Sequence, residues 1–323
     1  MKKLINFNNL NDIANKLVKE ESVAVICHIR PDGDAIGSAV ALYLGLNSLG
    51  IKADVVCNDV IPKKFNFLSQ VKDFKSELKG SYSALVAVDC ADITRLGGLA
   101  QDFYNHKNTY NIDHHISNNK YAKYNYIEES ASNSENILQL LKCMKIDISQ
   151  QIADFLLMGI MTDTGAFKHK NVTKNTLDSA SELVGFGGDS NKIYYNCFVY
   201  QSKNRVVLFT KVMSKIRYFL DERFAVITIM KKDLEESGAK PDETEGFIDF
   251  IMGIEGVEVG ASVMQMEENK YKISFRANDT DVNAVASLFG GGGHTLASGC
   301  QISGDYEEII DKIRYAVKMY IKD

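Results

Sequence analysis

The sequence predicts an α/β protein: an N-terminal parallel sheet flanked by helices, joined by a helical linker to a smaller α+β domain, with the active site expected in the cleft between them. Three observations predict it. Short β-branched apolar runs alternate with amphipathic stretches from Ser22 to about Lys170. Those runs are continuously apolar rather than alternating, as strands covered on both faces must be. After Arg223 the order changes to strands, a hairpin and short helices, and 323 residues exceed what one core comfortably serves.

Taken in order, "SVAVICH" (22–28) reads as a strand and "AIGSAVALYLGLNSLG" (35–50) as the helix after it. Further strands are expected in "IKADVVCN" (51–58), "SALVAVDC" (83–90) and "NTYNIDHH" (108–115). Helical spacing follows over 134–145, 150–161 and 174–186, the last stopping at the glycines of "GFGGDS". A helix over 203–219 is expected to connect the domains and is open to a second use as a homodimer contact. Beyond it come "FAVITIM", an acidic helix "DETEGFIDFIMG", and "VEVGASVMQM" with "KYKISFRA" as a hairpin around "EENK". A short helix "DVNAVASLF", the strand "ASGCQI" and a terminal helix complete the chain. The expected domains are therefore 1–200, a linker over 201–220, and a smaller second domain over 221–323.

Composition narrows the function. Hydrophobic residues at 45% and charged residues at 24% describe a folded chain, and a net charge of −5 argues against duplex DNA as a partner. Six cysteines without a C-x-x-C pair suggest neither a disulfide framework nor a thiolate zinc site, which points to a reducing compartment. "MKKLINFNNLND" lacks the apolar core of a signal peptide, and no run approaches the ~18 apolar residues of a membrane span. A cytoplasmic protein without a membrane partner is expected.

The chemistry is written at the strand ends. "AVICHIRPDGDAIGS" places His28 at one strand end and Asp32 and Asp34 in the turn to the next helix; "ALVAVD" delivers Asp89, and "TYNIDHH" delivers Asp113, His114 and His115. In a parallel sheet these ends share one edge, where ligands bind. "GIMTDTGAF" adds Asp163 among small residues. His28, Asp32, Asp34, Asp89, His114 and Asp163 make a candidate ligand set of oxygens and imidazoles without thiolate, suited to two octahedral divalent ions, manganese with magnesium as the alternative. Four carboxylates balance two such ions and leave the crevice able to accept a phosphate.

Each residue alone has a plainer reading: Asp34 as a helix N-cap, Asp89 as a turn cap, the paired histidines as a polar turn. The conjunction of three acid-bearing strand ends with H-x-x-x-D-x-D and D-H-H favours metal. Cys27 and Cys90 adjoin these residues but read as core, since neighbours on a strand point to opposite faces. "LFGGGGHTLASG" (288–299) is no Walker loop. Gly291, Gly292 and Gly293 would let backbone N–H groups converge on an anion, with His294 and Arg276 adding charge-assisted hydrogen bonds to a phosphate.

With these motifs assembled, "HIRPDGDAIGS", "VAVDCAD", "IDHHISN", "SNSEN", "TDTGAF" and "GGGGHTLASG", the sequence resembles the DHH phosphoesterases that carry a DHH-associated C-terminal domain, in the subgroup of nanoRNases and 3'-phosphoadenosine 5'-phosphate phosphatases. The resemblance implies a two-manganese enzyme with His28, Asp32 and Asp89 at one ion and Asp34, Asp89, His114 and Asp163 at the other. It implies further that His115 contacts the scissile phosphate, that Asp113 orients the histidines, and that Arg276 and His294 hold a substrate phosphate. Where relatives often carry an arginine and an aromatic, this chain has Lys168 and His169.

The expected activity is hydrolysis of short oligoribonucleotides, linear dinucleotides such as pApA, or 3'-phosphoadenosine 5'-phosphate; the alternative is cyclic di-AMP hydrolysis by the same centre. A pyrophosphatase, a non-catalytic nucleotide-binding regulator and a processive exonuclease are less well matched, the last because it would need an extended stacking groove.

Overall fold

The apolar runs of the N-terminal half become the middle of one sheet. The computed structural model describes residues 4–7 and 9–321, and the chain divides into two units, Met1–Tyr200 and Gln201–Asp323. The first unit contains β1 (Ile5–Asn6), α1 (Leu10–Leu17), β2 (Ser22–Ile26), α2 (Gly33–Ser48), β3 (Lys52–Val56) and β4 (Ala84–Val88). These are followed by α3 (Ala100–Asn105), β5 (Thr109–Asp113), β6 (Tyr124–Ile127), α4 (Asn133–Cys143), α5 (Gln150–Asp163), α6 (Lys174–Gly185) and α7 (Ser190–Tyr194). All six strands run parallel in the order β1-β6-β5-β4-β2-β3.

Every residue of β4 and β5 is buried. One sheet face carries the larger core, with Val23, Val25, Val86 and Ile112 against residues of α2, α4 and α5 such as Ile36, Ile137 and Phe155. The opposite face packs Ala24, Ile26, Leu85 and Ala87 against Leu96, Leu99 and Phe103. Because β3 and β4 flank β2 on opposite sides, the chain reverses its winding at β2, and a crevice opens at the carboxyl ends of β2 and β4.

Helices α2 and α5 lie unusually close, and glycine is the reason. A Cβ on Gly37 would sit 2.3 Å from the Phe155 carbonyl oxygen. One on Gly159 would sit 1.9 Å from Ser134 Oγ and 2.6 Å from Asp34 Oδ1.

The second unit contains α8 (Lys203–Met213), β7 (Arg217–Phe219), β8 (Phe224–Ile229), α9 (Lys231–Ser237), α10 (Phe247–Met252) and the hairpin β9 (Val259–Glu267) and β10 (Lys270–Ala277). It closes with α11 (Val282–Ser287), β11 (Gly292–His294), β12 (Ala297–Ser303) and α12 (Tyr306–Tyr320). The sheet order is β11-β12-β10-β9-β8-β7, with β8 and β9 parallel and the other pairs antiparallel. Phe275, Ile273 and Val263 face α11 and α12 across one core, while Ile227 and Ile229 face α8 and α10 across another.

Three boundaries differ from the sequence reading. The helix expected over 203–219 ends at Met213, and Arg217–Phe219 pairs with β8; Leu208 and Val212 of that helix belong to the second unit's core. The acidic helix is split at Gly246, whose φ of 80° is left-handed and interrupts the turn. The glycine run is a short edge strand, in which Gly292 pairs with Gly299 and Gly293 with Ser298. No described helix is long and apolar enough to cross a membrane.

Candidate metal centre

His28 and Asp89 follow the ends of β2 and β4, while Asp113 closes β5 with His114 and His115 after it. Asp32 is the N-cap of α2: its Oδ1 accepts from the N–H groups of Asp34 and Ala35 at 3.1 and 3.0 Å. Asp34, weighed from sequence as the cap, is instead wholly buried at the second position of the helix. Asp163 is the last residue of α5.

These segments converge. His28 Nε2 lies 3.7 Å from both Asp32 Oδ2 and Asp89 Oδ2. His114 Nε2 lies 3.3 Å from Asp89 Oδ1 and 3.5 Å from Asp163 Oδ2. Ligand atoms of His28, Asp32 and Asp89 form one group within 4.8 Å, and those of Asp34, His114 and Asp163 form a second. Asp89, with atoms facing both His28 and His114, stands between the two.

Three observations show that this donor set fits hard divalent cations. Asp89 Oδ1 is buried and accepts no hydrogen bond, an expensive condition for a carboxylate that lacks a cation. The Nδ1 atoms of His28 and His114 face the carbonyls of Ile29 at 2.8 Å and Ser130 at 3.1 Å, which leaves Nε2 of each ring aimed at the carboxylates. The nitrogen–oxygen separations of 3.3–3.7 Å exceed a direct hydrogen bond and approach the ~3 Å between adjacent ligands of an octahedral ion at about 2.1 Å.

Electrostatics tell the same story. Burial, then the Asp89 charge, pushes the Asp34 carboxyl up to about 7. Burial, then Asp34 and Asp89, pushes Asp163 up to about 9. Burial alone would lower the two imidazoles, but the surrounding carboxylates override it and raise both His28 and His114 to about 10. Asp89 moves the other way: burial would raise it, but the attraction of the facing His114 and His28 imidazoles outweighs that and holds it below its ordinary value. The cluster holds protons where cations would otherwise balance its charge.

Asp34 is tethered rather than free. Its Oδ2 accepts from Asn133 N–H at 2.5 Å, and its Oδ1 accepts from Ser134 N–H at 2.9 Å and Ser134 Oγ at 2.5 Å. A carboxylate from α2 thus caps the positive end of α4, and Ser132 at the usual cap position makes no capping bond. Asp113, also wholly buried, accepts from His115 Nδ1–H at 2.8 Å and from the Asn118 amide at 2.5 Å. That Asp113 hydrogen bond raises the His115 pKa, and the ring remains 35% exposed.

Several neighbours were not singled out by sequence reasoning. Arg95 Nη2 lies 3.0 Å from His28 Nδ1. The Asp163 carbonyl accepts from Asn171 at 3.3 Å and faces His169 Nδ1 at 3.2 Å, after which Gly165, Ala166 and Phe167 all take positive φ. Only the Lys168 and His169 departure hinted at this flank. Cys27 packs in the main core.

The second unit brings Arg276 and His294 onto one sheet face. Arg276 pairs with Ala297 and Ala297 with His294, so the two side chains stand two strand spacings apart, about 10 Å. Arg276 Nε is 4.0 Å from Asp249 Oδ1. Gly293 N–H is taken by Asn283 Oδ1 at 2.8 Å, and Gly291 rests on Gly299 and Cys300, so these glycines build a strand edge in place of an open loop.

Comparison with known proteins agrees with this arrangement. Residues 22–160 match the model of the DHH family, N-terminal domain, and residues 221–323 match the DHHA1 domain. A Thermus thermophilus protein named bifunctional oligoribonuclease and PAP phosphatase NrnA is 28% identical over 304 residues, 93% of this chain and 90% of the relative. The Bacillus subtilis protein of the same name is 26% identical over 280 residues, 85% of this chain and 87% of the relative. The crystal structure of an exopolyphosphatase-related protein from Bacteroides fragilis superposes with a TM-score of 0.86 at 25% identity, covering 96% of each chain. With acid-bearing strand ends gathered as described and both domain models matched in order, this chain belongs to the DHH family of phosphoesterases.

Proposed function

We propose that this protein is a manganese-dependent phosphodiesterase that hydrolyses short oligoribonucleotides, linear dinucleotides such as pApA, and 3'-phosphoadenosine 5'-phosphate to mononucleotides. The observation that carries the reading is Asp89, which belongs to one donor group and faces His114 of the other with a buried Oδ1 that accepts no hydrogen bond. The named activity of the Thermus and Bacillus relatives supports the substrate class. In this proposal His28, Asp32 and Asp89 hold one ion and Asp34, Asp89, His114 and Asp163 the other. Manganese is preferred, with magnesium the alternative, because the donors are carboxylate and imidazole. Two such ions, when bound, lower the pKa of water and neutralise phosphoryl oxygens.

The chain's own residues do the rest. Asp113 fixes the Nδ1–H of His115 and raises the ring's proton affinity, which leaves the remaining ring nitrogen to meet a non-bridging oxygen of the scissile phosphate. Water bonds to phosphorus, the P–O bond to the leaving nucleoside breaks, and the leaving oxygen takes a proton. Arg276 and His294 are proposed to bind a substrate phosphate, and Gly291, Gly292 and Gly293 to allow its close approach. The cysteines are all free thiols, which suits the cytoplasm.

The test is turnover of pApA, 3'-phosphoadenosine 5'-phosphate and cyclic di-AMP with manganese, scored by product. Mononucleotides from the first two are expected. Rapid ring opening of cyclic di-AMP with negligible action on pApA would reverse the assignment.

A further inference from the structure

Asp34 and Asp89 come from different segments, yet their carboxylates must keep a fixed separation if both are to face the same ions. Asn133, wholly buried at the first position of α4, touches the segments bearing both. Its N–H donates to Asp34 Oδ2 at 2.5 Å. With its amide turned to satisfy its surroundings, Oδ1 accepts from the Asp89 N–H at 3.2 Å and from Ser38 Oγ at 3.1 Å, while Nδ2 donates to the Ile112 carbonyl at 3.3 Å. A single side chain thus ties α2, the end of β4 and the end of β5.

The end of β4 needs such a tie. Asp89 has φ of 52°, a left-handed conformation costly for a residue with a Cβ. Its N–H also reaches the Ile112 carbonyl at 3.0 Å, so the strained turn is held by one strand bond and by the Asn133 amide. Loss of the amide would leave Asp89 free to relax toward an ordinary conformation and swing its carboxylate away from His28 and His114.

We propose that Asn133 is a positioning residue that sets the separation of Asp34 and Asp89 and so determines whether two cations bind together. The inference rests on the metal-centre reading above and extends it to a residue that offers no ligand atom. Outer-shell partners of metal ligands typically change affinity by about 10- to 100-fold. The Asn133 effect is expected in that range.

The experiment compares manganese binding by calorimetry in wild type, Asn133→Ala, Asn133→Asp and Asn125→Ala, with melting temperatures taken in EDTA. Asn125 is the control: it is equally buried, its amide bonds Ala122, and it contacts none of the candidate ligands. Asn133→Asp is isosteric and keeps the acceptor for the Asp89 N–H, but sets an oxygen against the Ile112 carbonyl. Asn133→Ala is expected to weaken manganese binding by about 10-fold or more and to reduce the stoichiometry from two toward one. Asn133→Asp should fall between it and wild type, and Asn125→Ala should match wild type even where its melting temperature falls as far. If Asn133→Ala binds two ions as wild type does, or Asn125→Ala loses as much affinity, the positioning role is wrong while the metal centre stands. If wild type binds no manganese, both fall.

Discussion

Replacing Asp89 with asparagine tests the shared carboxylate with little change in shape. The residue is 2% exposed, one oxygen accepts no hydrogen bond, and imidazole nitrogens lie 3.3 and 3.7 Å from its two oxygens. Two unit charges about 4 Å apart interact by roughly 4 kcal/mol at an effective dielectric near 20, and about 1.4 kcal/mol is a factor of ten. A divalent ion doubles that interaction, so removing the charge weakens each bound cation by about 1,000-fold or more in Coulomb terms; the amide oxygen retains some coordination, so a loss of at least about 100-fold is expected. Isosteric packing keeps this apart from unfolding, which the melting temperature in EDTA checks. Calorimetric titration with manganese is the assay, with turnover of pApA alongside. Binding of two ions within tenfold of wild type would refute the bridging role of Asp89.

Gly159→Ala should cost activity and manganese affinity together, because the new methyl would fall on Ser134 Oγ and Asp34 Oδ1; unchanged binding would mean the α2–α5 approach is not needed. Asp113→Asn should lower kcat for pApA by about 10- to 100-fold while leaving manganese binding intact, since Asp113 orients His115 and is not among the proposed ligands. Equal loss of metal would contradict that division. Manganese affinity should fall as pH drops through about 9 and about 7, where Asp163 and Asp34 take up protons that a cation must displace. In EDTA the sign reverses. The folded state binds more protons than the unfolded chain at Asp34, Asp163, His28 and His114, so the melting temperature should fall as pH rises toward 10. A flat profile in both titrations would count against a proton-loaded cluster.

How much of this was legible in the sequence depended on whether one residue carried its own signal. β2, β4 and β5 were readable because burial on both faces demands unbroken apolar runs, and the acids at their ends stand out against those runs. β1 and β6, two and four residues long at one side of the sheet, offer too few positions for any period to show. Read alone, Asp34 passes for a helix cap, and spacing cannot show otherwise; the cap falls to Asp32, while the N-terminus of α4 takes Asp34 from 99 and 100 residues away. Ser38, Asn118, Asn133 and Ser134 lie within the quoted motifs, but what they bond shows only in long-range contacts. The glycine run hides its backbone form for a related reason. Its composition allows an open loop, and pairing with β12 makes it a strand.

The account stands on two cations held side by side at Asp89. Crystals grown in manganese, with data collected at its absorption edge, test this most directly. The account predicts two anomalous peaks about 3.5–4 Å apart, bracketing the Asp89 carboxylate, with His28 and Asp32 on one side and Asp34, His114 and Asp163 on the other. A map with no peak at Asp89, or with His28 and Asp163 drawn away from it, would contradict the account.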